Sequence, residues 1–254
     1  MIEDLKGKRI LVTGSSTGIG AAVAKAYAEH GARVAVHYNA SAEQAQALIA
    51  SIVAAGGDAV LIAGDVSTSS GARAVVEDAV SSLGGLDLLV NNAGALLKRQ
   101  RLGEIDDESY DRILDLNVRS VVMASQAALP HLKAAGRGSI IHTTSVAARN
   151  GGGPGALLYA SAKAFVSNAV RNMAKDLAGD NIRVNGVAPG VILTPFHERY
   201  STPEMLETMR KTIPMATLGK PEDCVGAYLF LASDAMSGYV TGQIIEVNGG
   251  QLMP

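Results

Sequence analysis

The chain has 254 residues, with 22 Lys and Arg against 24 Asp and Glu, 48% hydrophobic and 18% charged residues, a globular composition near the size that one core can still serve. A formal charge of −2 argues against binding nucleic acid by phosphate neutralisation, which calls for clustered Lys and Arg. Cys224 is the only cysteine, so no intrachain disulfide can form, and neither an apolar signal region within Met1–Arg9 nor a run of 18 apolar residues occurs; a cytoplasmic protein with no membrane or nucleic-acid partner is expected.

Short β-branched runs alternate with longer helical ones. A first strand, Arg9–Thr13, leads through Gly14-Ser15-Ser16-Thr17-Gly18-Ile19-Gly20 into a helix over Gly18–His30, which Gly31 stops. A second strand, Arg33–Tyr38, precedes a helix over Ser41–Ala55, where Ser41 and Gln44 read as a capping box and Gly56 as the stop. The third strand, Ala59–Ala63, ends at Asp65-Val66 and is followed by a helix over Ser69–Leu83; the fourth, Leu86–Asn91, continues into Asn92-Ala93-Gly94 and a long helix over Asp107–Ala135. Next come a strand Gly138–Thr144 ending at Ser145, a glycine-rich loop Arg149–Gly155 and a helix Leu157–Ala178. A strand Arg183–Ala188, a helix Pro221–Ala232 with Cys224 as a small buried hydrophobe, and a strand Gln243–Val247 complete the series.

Most of these strands read as continuous apolar runs, as strands buried on both faces require. The expected fold is α/β: one doubly wound (Rossmann) parallel sheet of about seven strands, helices on both faces, in a single domain over 1–254. The segment Pro195–Pro214 interrupts the rhythm. Thr202–Pro203 reads as a cap with first-turn proline, and Leu206, Met209 and Ile213 form an apolar stripe. It is either a surface helix packed on the core or a substrate lid, since it follows the C-terminal end of a strand, where open α/β sheets bind ligands.

The glycines after the first strand let the backbone turn tightly and approach a pyrophosphate at a helix N-terminus. Their spacing is Gly-x-x-x-Gly-x-Gly, not the usual Gly-x-Gly-x-x-Gly. Asp65 can accept from an adenine amino group or simply form a turn, and Asn91 and Asn92 can tie neighbouring loops together. Tyr159 and Lys163 are four residues apart on one helix face, about 40° from each other. A phenol titrates near 10 unperturbed, and a neighbouring ammonium together with a cationic nicotinamide favours its phenolate, which suits acid–base work.

With Asn117 and Ser145, these motifs occur in the order seen in short-chain dehydrogenases/reductases, which the chain resembles from Lys8 to Gly250. The resemblance includes Tyr159-Ala160-Ser161-Ala162-Lys163, Arg183-Val184-Asn185, Pro189-Gly190, Thr194, Thr241-Gly242 and Gly249-Gly250. It implies hydride transfer between a nicotinamide cofactor and a carbonyl or secondary alcohol. Tyr159 would exchange the proton, Ser145 hold the oxygen, Lys163 bind the ribose and depress the Tyr159 pKa, and Asn117, at an irregularity in its long helix, hold a water. Cofactor contacts would come from Gly14, Ser15, Ser16, Thr17, Gly18, Ile19, Gly20, Tyr38, Asn39, Ser41, Asp65, Val66, Asn92, Ala93, Gly94, Tyr159, Lys163, Pro189, Gly190, Val191 and Thr194, and no metal is expected.

The stretch His37-Tyr38-Asn39-Ala40-Ser41 has no acid to hold both ribose hydroxyls. This favours NADP(H), with Asn39, Ser41 and Ser15 as donors to a 2′-phosphate, although basic partners are missing and NAD(H) is possible. The nearest resemblance is to 3-oxoacyl-carrier-protein reductases and sugar dehydrogenases, implying a homotetramer and, for the former, an acyl-carrier protein partner. The alternative is a catalytically silent dinucleotide-binding regulator.

Overall fold

The computed structural model describes residues 1–253. Its strands are β1 (Arg9–Val12), β2 (Arg33–Tyr38), β3 (Asp58–Ala63), β4 (Leu88–Asn91), β5 (Gly138–Thr143), β6 (Ile182–Pro189) and β7 (Ile244–Val247). The helices are α1 (Gly18–Glu29), α2 (Ala42–Ala54), α3 (Ser69–Leu83), α4 (Asp107–Leu114), α5 (Ser120–Ala134), α6 (Ala147–Asn150), α7 (Leu157–Leu177), α8 (Pro195–Tyr200), α9 (Pro203–Lys211), α10 (Pro221–Ala232) and α11 (Asp234–Ser237).

The strands form one parallel sheet in the order β3-β2-β1-β4-β5-β6-β7. The chain reverses its direction of travel between β3 and β4, so the switch point lies between β1 and β4. In β1 the reason for a continuous apolar run is visible. Ile10 and Val12 pack with Tyr27 of α1, Ile52 of α2 and Tyr228 of α10, whereas Leu11 faces the other core with Val76 of α3, Ala128 of α5 and Val184 of β6. Both faces are dry, and alternation has no polar side on which to show.

Gly31 and Gly56 adopt left-handed φ of 84° and 83°, as expected of helix stops. The capping box at Ser41 does not form. Ser41 has φ −95° and ψ 61°, and its side chain makes no cap hydrogen bond; capping needs the extended backbone that aims the hydroxyl back at the first turn. The long helix expected over Asp107–Ala135 is divided by a π-turn at Asp115–Arg119, a common way for a helix to re-aim one residue at a functional site. The insertion after β6 folds as two helices, α8 and α9. Thr202 caps α9 by accepting from the Met205 amide at 3.3 Å, with Pro203 in the first turn.

Candidate active site

Because all strands are parallel, their C-terminal ends converge on one edge, where a cleft of ≈ 1290 Å³ opens. One end is lined by Ser16 to Gly20, Tyr38 to Ser41, Gln44, Asp65 and Val66; the other by Ser145, Tyr159, Lys163 and the insertion. Gly14 and Gly18 take φ of 61° and 59°, which glycine adopts without a Cβ penalty. A Cβ at Gly20 would lie 2.5 Å from Asn92 Nδ2 and 2.6 Å from the Gly14 carbonyl. Asn92 Nδ2 donates to Thr13 and Gly14 carbonyls at 3.0 and 2.9 Å, tying the two loops as its side-chain chemistry suggested. The turn and the α1 N-terminus thus form a cradle suited to a dinucleotide's pyrophosphate.

Of the residues assigned to this end, Ser15 alone turns away. It is fully buried, its Oγ donating to the Val12 carbonyl at 2.6 Å and accepting from the His37 amide at 2.9 Å. A hydroxyl spent on the sheet is unavailable to a 2′-phosphate. His37 itself was not anticipated: its Nδ1 accepts from the Gly14 amide at 2.9 Å, so Nε2 carries the proton toward the Gly64 carbonyl at 3.1 Å. Burial holds its pKa down. Asp65 Oδ1 accepts from the Ser67 amide at 2.9 Å, satisfying the turn-forming reading while the residue still lines the cleft.

At the other end, the π-turn carries Asn117 inward, fully buried. Its Nδ2 donates to the Ala95 and Ile113 carbonyls at 2.8 and 2.9 Å, and its Oδ1 has no protein partner. Lys163, also buried, donates from Nζ to the Thr143 carbonyl at 2.9 Å. Gly94 lets the two approach, for a Cβ there would lie 2.7 Å from Asn117 Oδ1 and 3.0 Å from Lys163 Nζ. Ser145 follows β5, its Oγ accepting from the Ala147 amide at 3.1 Å.

Lys163 Nζ sits 5.8 Å from the Tyr159 ring centre. Burial pushes Tyr159 up to about 12, with Ser145 opposing it, and pushes Lys163 down to about 8; desolvation outweighs attraction across this distance. The phenol therefore carries its proton at neutral pH. Cys224, fully buried, has its thiol pushed up to about 12 by burial and is the inert hydrophobe expected.

The insertion faces the cleft, with Phe196, His197, Tyr200, Met205, Met209 and Thr212 in its lining. Phe196 lies 5.6 Å from Tyr159 and 5.1 Å from Tyr200 between ring centres, within the range of favourable aromatic pairs. A chain with no Trp and three Phe concentrates rings beside its phenol. Leu97, another lining residue, has φ 58°, an outlier for a bulky side chain. Neither this strain nor the nearby cation at Arg99 was marked by any local pattern.

Beneath the site, His142 of β5 is fully buried. Asn91 Nδ2 meets its Nδ1 at 3.2 Å and Ser125 Oγ at 3.0 Å, while Nε2 has no partner. Burial, reinforced by Lys163, lowers its pKa to about 3. A basic group whose folded pKa is depressed contributes stability that is complete above the unfolded value and lost as pH falls toward the folded one. Stability is therefore expected to fall below about pH 6.5, reaching a loss on the order of 2 kcal/mol near pH 5. Denaturant melts at pH 7.5 and 5.0 check this, with His142→Gln expected to reduce the difference.

The family model described as enoyl-(acyl carrier protein) reductase matches residues 14–251. The chain is 38% identical over 246 residues to a 3-oxoacyl-[acyl-carrier-protein] reductase of Staphylococcus aureus, covering 97% of this chain and 98% of that protein. A solved NADH-dependent reductase A1-R′, responsible for alginate metabolism, is similar at TM-score 0.91 and 41% identity, over 99% of this chain and 100% of that one. A short-chain dehydrogenase from Burkholderia cenocepacia J2315 in complex with NADP is similar at TM-score 0.90 and 37% identity, over 98% of this chain and 99% of that one. Sheet order, cleft and whole-length likeness agree: the chain belongs to the short-chain dehydrogenase/reductase family and has the NAD(P)-dependent oxidoreductase activity typical of it.

Proposed function

We propose that this protein is an NADP(H)-preferring carbonyl reductase, able to run in reverse as an alcohol dehydrogenase, with Tyr159 as its general acid and base. The observation that carries this reading is the convergence of Ser145, Tyr159 and Lys163 on one end of the cleft, with the buried Asn117 behind them, its Oδ1 beside Gly94 as Lys163 Nζ is. When bound, the dinucleotide supplies or accepts the hydride. Tyr159 gives its proton to the carbonyl oxygen during reduction and takes it back in the reverse direction. Ser145 donates a hydrogen bond to that oxygen and steadies the charge that develops on it. Lys163, anchored on Thr143, holds ribose hydroxyls, and the free Oδ1 of Asn117 orders a water through which protons are resupplied.

Gly14, Ser16, Thr17, Gly18, Ile19, Gly20, Asn92, Ala93 and Gly94 hold the dinucleotide's central part, and Pro189, Gly190, Val191 and Thr194 its nicotinamide end. At the far end Tyr38, Asn39, Ser41, Asp65 and Val66 hold the adenosine. The Tyr38–Ser41 wall carries no charge of either sign. Absence of a carboxylate there supports NADP(H); the NADH dependence of one similar structure and the NADP bound to another make the preference a matter of degree. NADPH is expected to exceed NADH in kcat/KM, and Asn39→Asp to reverse the order by at least about tenfold through like-charge repulsion. Higher kcat/KM with NADH in the unaltered protein would overturn the preference.

The substrate is a small or medium oxo or hydroxy compound, of 3-oxoacyl or sugar and polyol type. An absorbance screen following NADPH and NADH with acetoacetyl thioesters, aldoses, polyols and simple ketones tests activity and class together. Tight dinucleotide binding without turnover of any of these would favour a silent regulator, a reading that leaves the complete set of acid–base residues unexplained. We further propose that the protein is cytoplasmic and that it is a homotetramer, the assembly being supported by Tyr110 of α4 and Phe165 of α7, each 48% exposed, and by the partly exposed edge strand β7.

A further inference from the structure

At the end of the cleft covered by the insertion, the partly buried Arg99 lacks a counter-charge, as does the exposed Arg199, while Lys163 is held by the Thr143 carbonyl. Arg99, in the segment between β4 and α4, is partly buried and lines the cleft. Its Nε donates to the Tyr200 carbonyl and its Nη1 to the Pro154 carbonyl, both at 3.0 Å. These neutral partners leave Nη2 without a protein hydrogen bond. The other buried or partly buried arginines, Arg9, Arg33, Arg183 and Arg210, each pair with a carboxylate. Arg99, among the described residues, pairs with none. Burial works against its charge with nothing opposing, yet a guanidinium does not give up its proton in proteins.

We infer that Arg99 recognises an anionic group of the substrate, a carboxylate, which makes the substrate an oxo or hydroxy acid, acidic sugars included, rather than a neutral polyol or a thioester. This rests on the oxidoreductase reading of the same cleft and narrows it. The two backbone carbonyls fix the guanidinium plane, and its remaining donors form a fork matched to two carboxylate oxygens. A preorganised cation also loses little rotamer freedom when the acid arrives. Burial, and then Arg99 itself, lowers the pKa of the neighbouring His197 and so works against a second charge there, while its Nδ1 lies 2.9 Å from Ser201 Oγ.

The test compares acids with their uncharged esters: acetoacetate, levulinate and galacturonate against the corresponding methyl esters. Binding is measured by calorimetry with NADPH present, and turnover by NADPH absorbance. At least one acid is expected to bind the unaltered protein about tenfold or more tighter than its ester. Arg99→Gln should erase that preference through KM while changing kcat/KM for the ester less than about threefold, and Arg99→Lys should restore part of it. Equal binding of every acid and ester, no binding of any acid, or equal losses for acid and ester in Arg99→Gln would overturn the inference, the last identifying Arg99 as a strut between insertion and loop. Discrimination in binding without hydride transfer would instead sink the reductase reading and leave the role of Arg99 standing.

Discussion

Tyr159→Phe is expected to reduce kcat by about 10³-fold or more, because a positioned acid or base contributes on the order of 10²–10⁴-fold and here no other side chain is placed to substitute. Ser145 keeps its hydrogen bond to the Ala147 amide, and Lys163 remains anchored 5.8 Å from the ring centre. The phenyl ring retains its contact with Phe196 at 5.6 Å. Dinucleotide affinity and melting temperature should therefore change little, separating chemistry from assembly. Single-turnover absorbance measurements with saturating NADPH, alongside calorimetric cofactor titration, make the comparison. Turnover within tenfold of the unaltered enzyme would remove Tyr159 from its assigned role.

Gly20→Ala should be nearly as damaging, for a different reason. The added methyl would meet Asn92 Nδ2 at 2.5 Å, the Gly14 carbonyl at 2.6 Å and Ser15 Cα at 2.9 Å. Two of these obstacles are backbone, which cannot rotate aside as a long side chain can. The third ties the turn to the loop after β4, so relief in that direction loosens the cradle. Overpacking of this kind costs about 1–3 kcal/mol, and a displaced turn no longer presents its amides to a pyrophosphate. The expected outcome is a lower melting temperature together with dinucleotide affinity weakened about a hundredfold, on the view that each misplaced anion contact is charge-assisted. A variant that melts and binds normally would show that the turn can move without cost.

The sheet was legible because its causes are local. Val34, Ala35 and Val36 of β2 are all fully buried, so a run of small and β-branched residues is what two dry faces demand, and the strand appears at its expected bounds, Arg33–Tyr38. Helix α3 likewise spans its expected bounds, Ser69–Leu83, with Gly84 in the left-handed conformation just after it. The gathering of Ser145, Tyr159 and Lys163 at one end of the cleft was legible through the family resemblance carried by their order along the chain. What escaped notice depends on partners distant in sequence. Ser15 looked like a cleft hydroxyl until β2 was laid beside it, and Arg99 reaches acceptors 55 and 101 residues away. The bond that His37 accepts from the Gly14 amide exists only once β1 and β2 are paired. The unformed cap at Ser41 shows a motif right in residue type and wrong in backbone angle.

The packing of α1 against α10 bears on how this chain emerges from a ribosome. Val23, Ala24 and Tyr27 share a core with Cys224, Tyr228 and Leu231, and the Tyr27 hydroxyl donates to the Tyr228 carbonyl at 3.1 Å. The first helix made is thus covered by one synthesised some two hundred positions later. A nascent chain halted before residue 221 keeps that apolar stripe bare while β1, β2 and β4 are already able to pair. Vectorial synthesis therefore leaves a sticky intermediate whose lifetime is set by translation of the last segment, and it is there that a chaperone has its surface to hold.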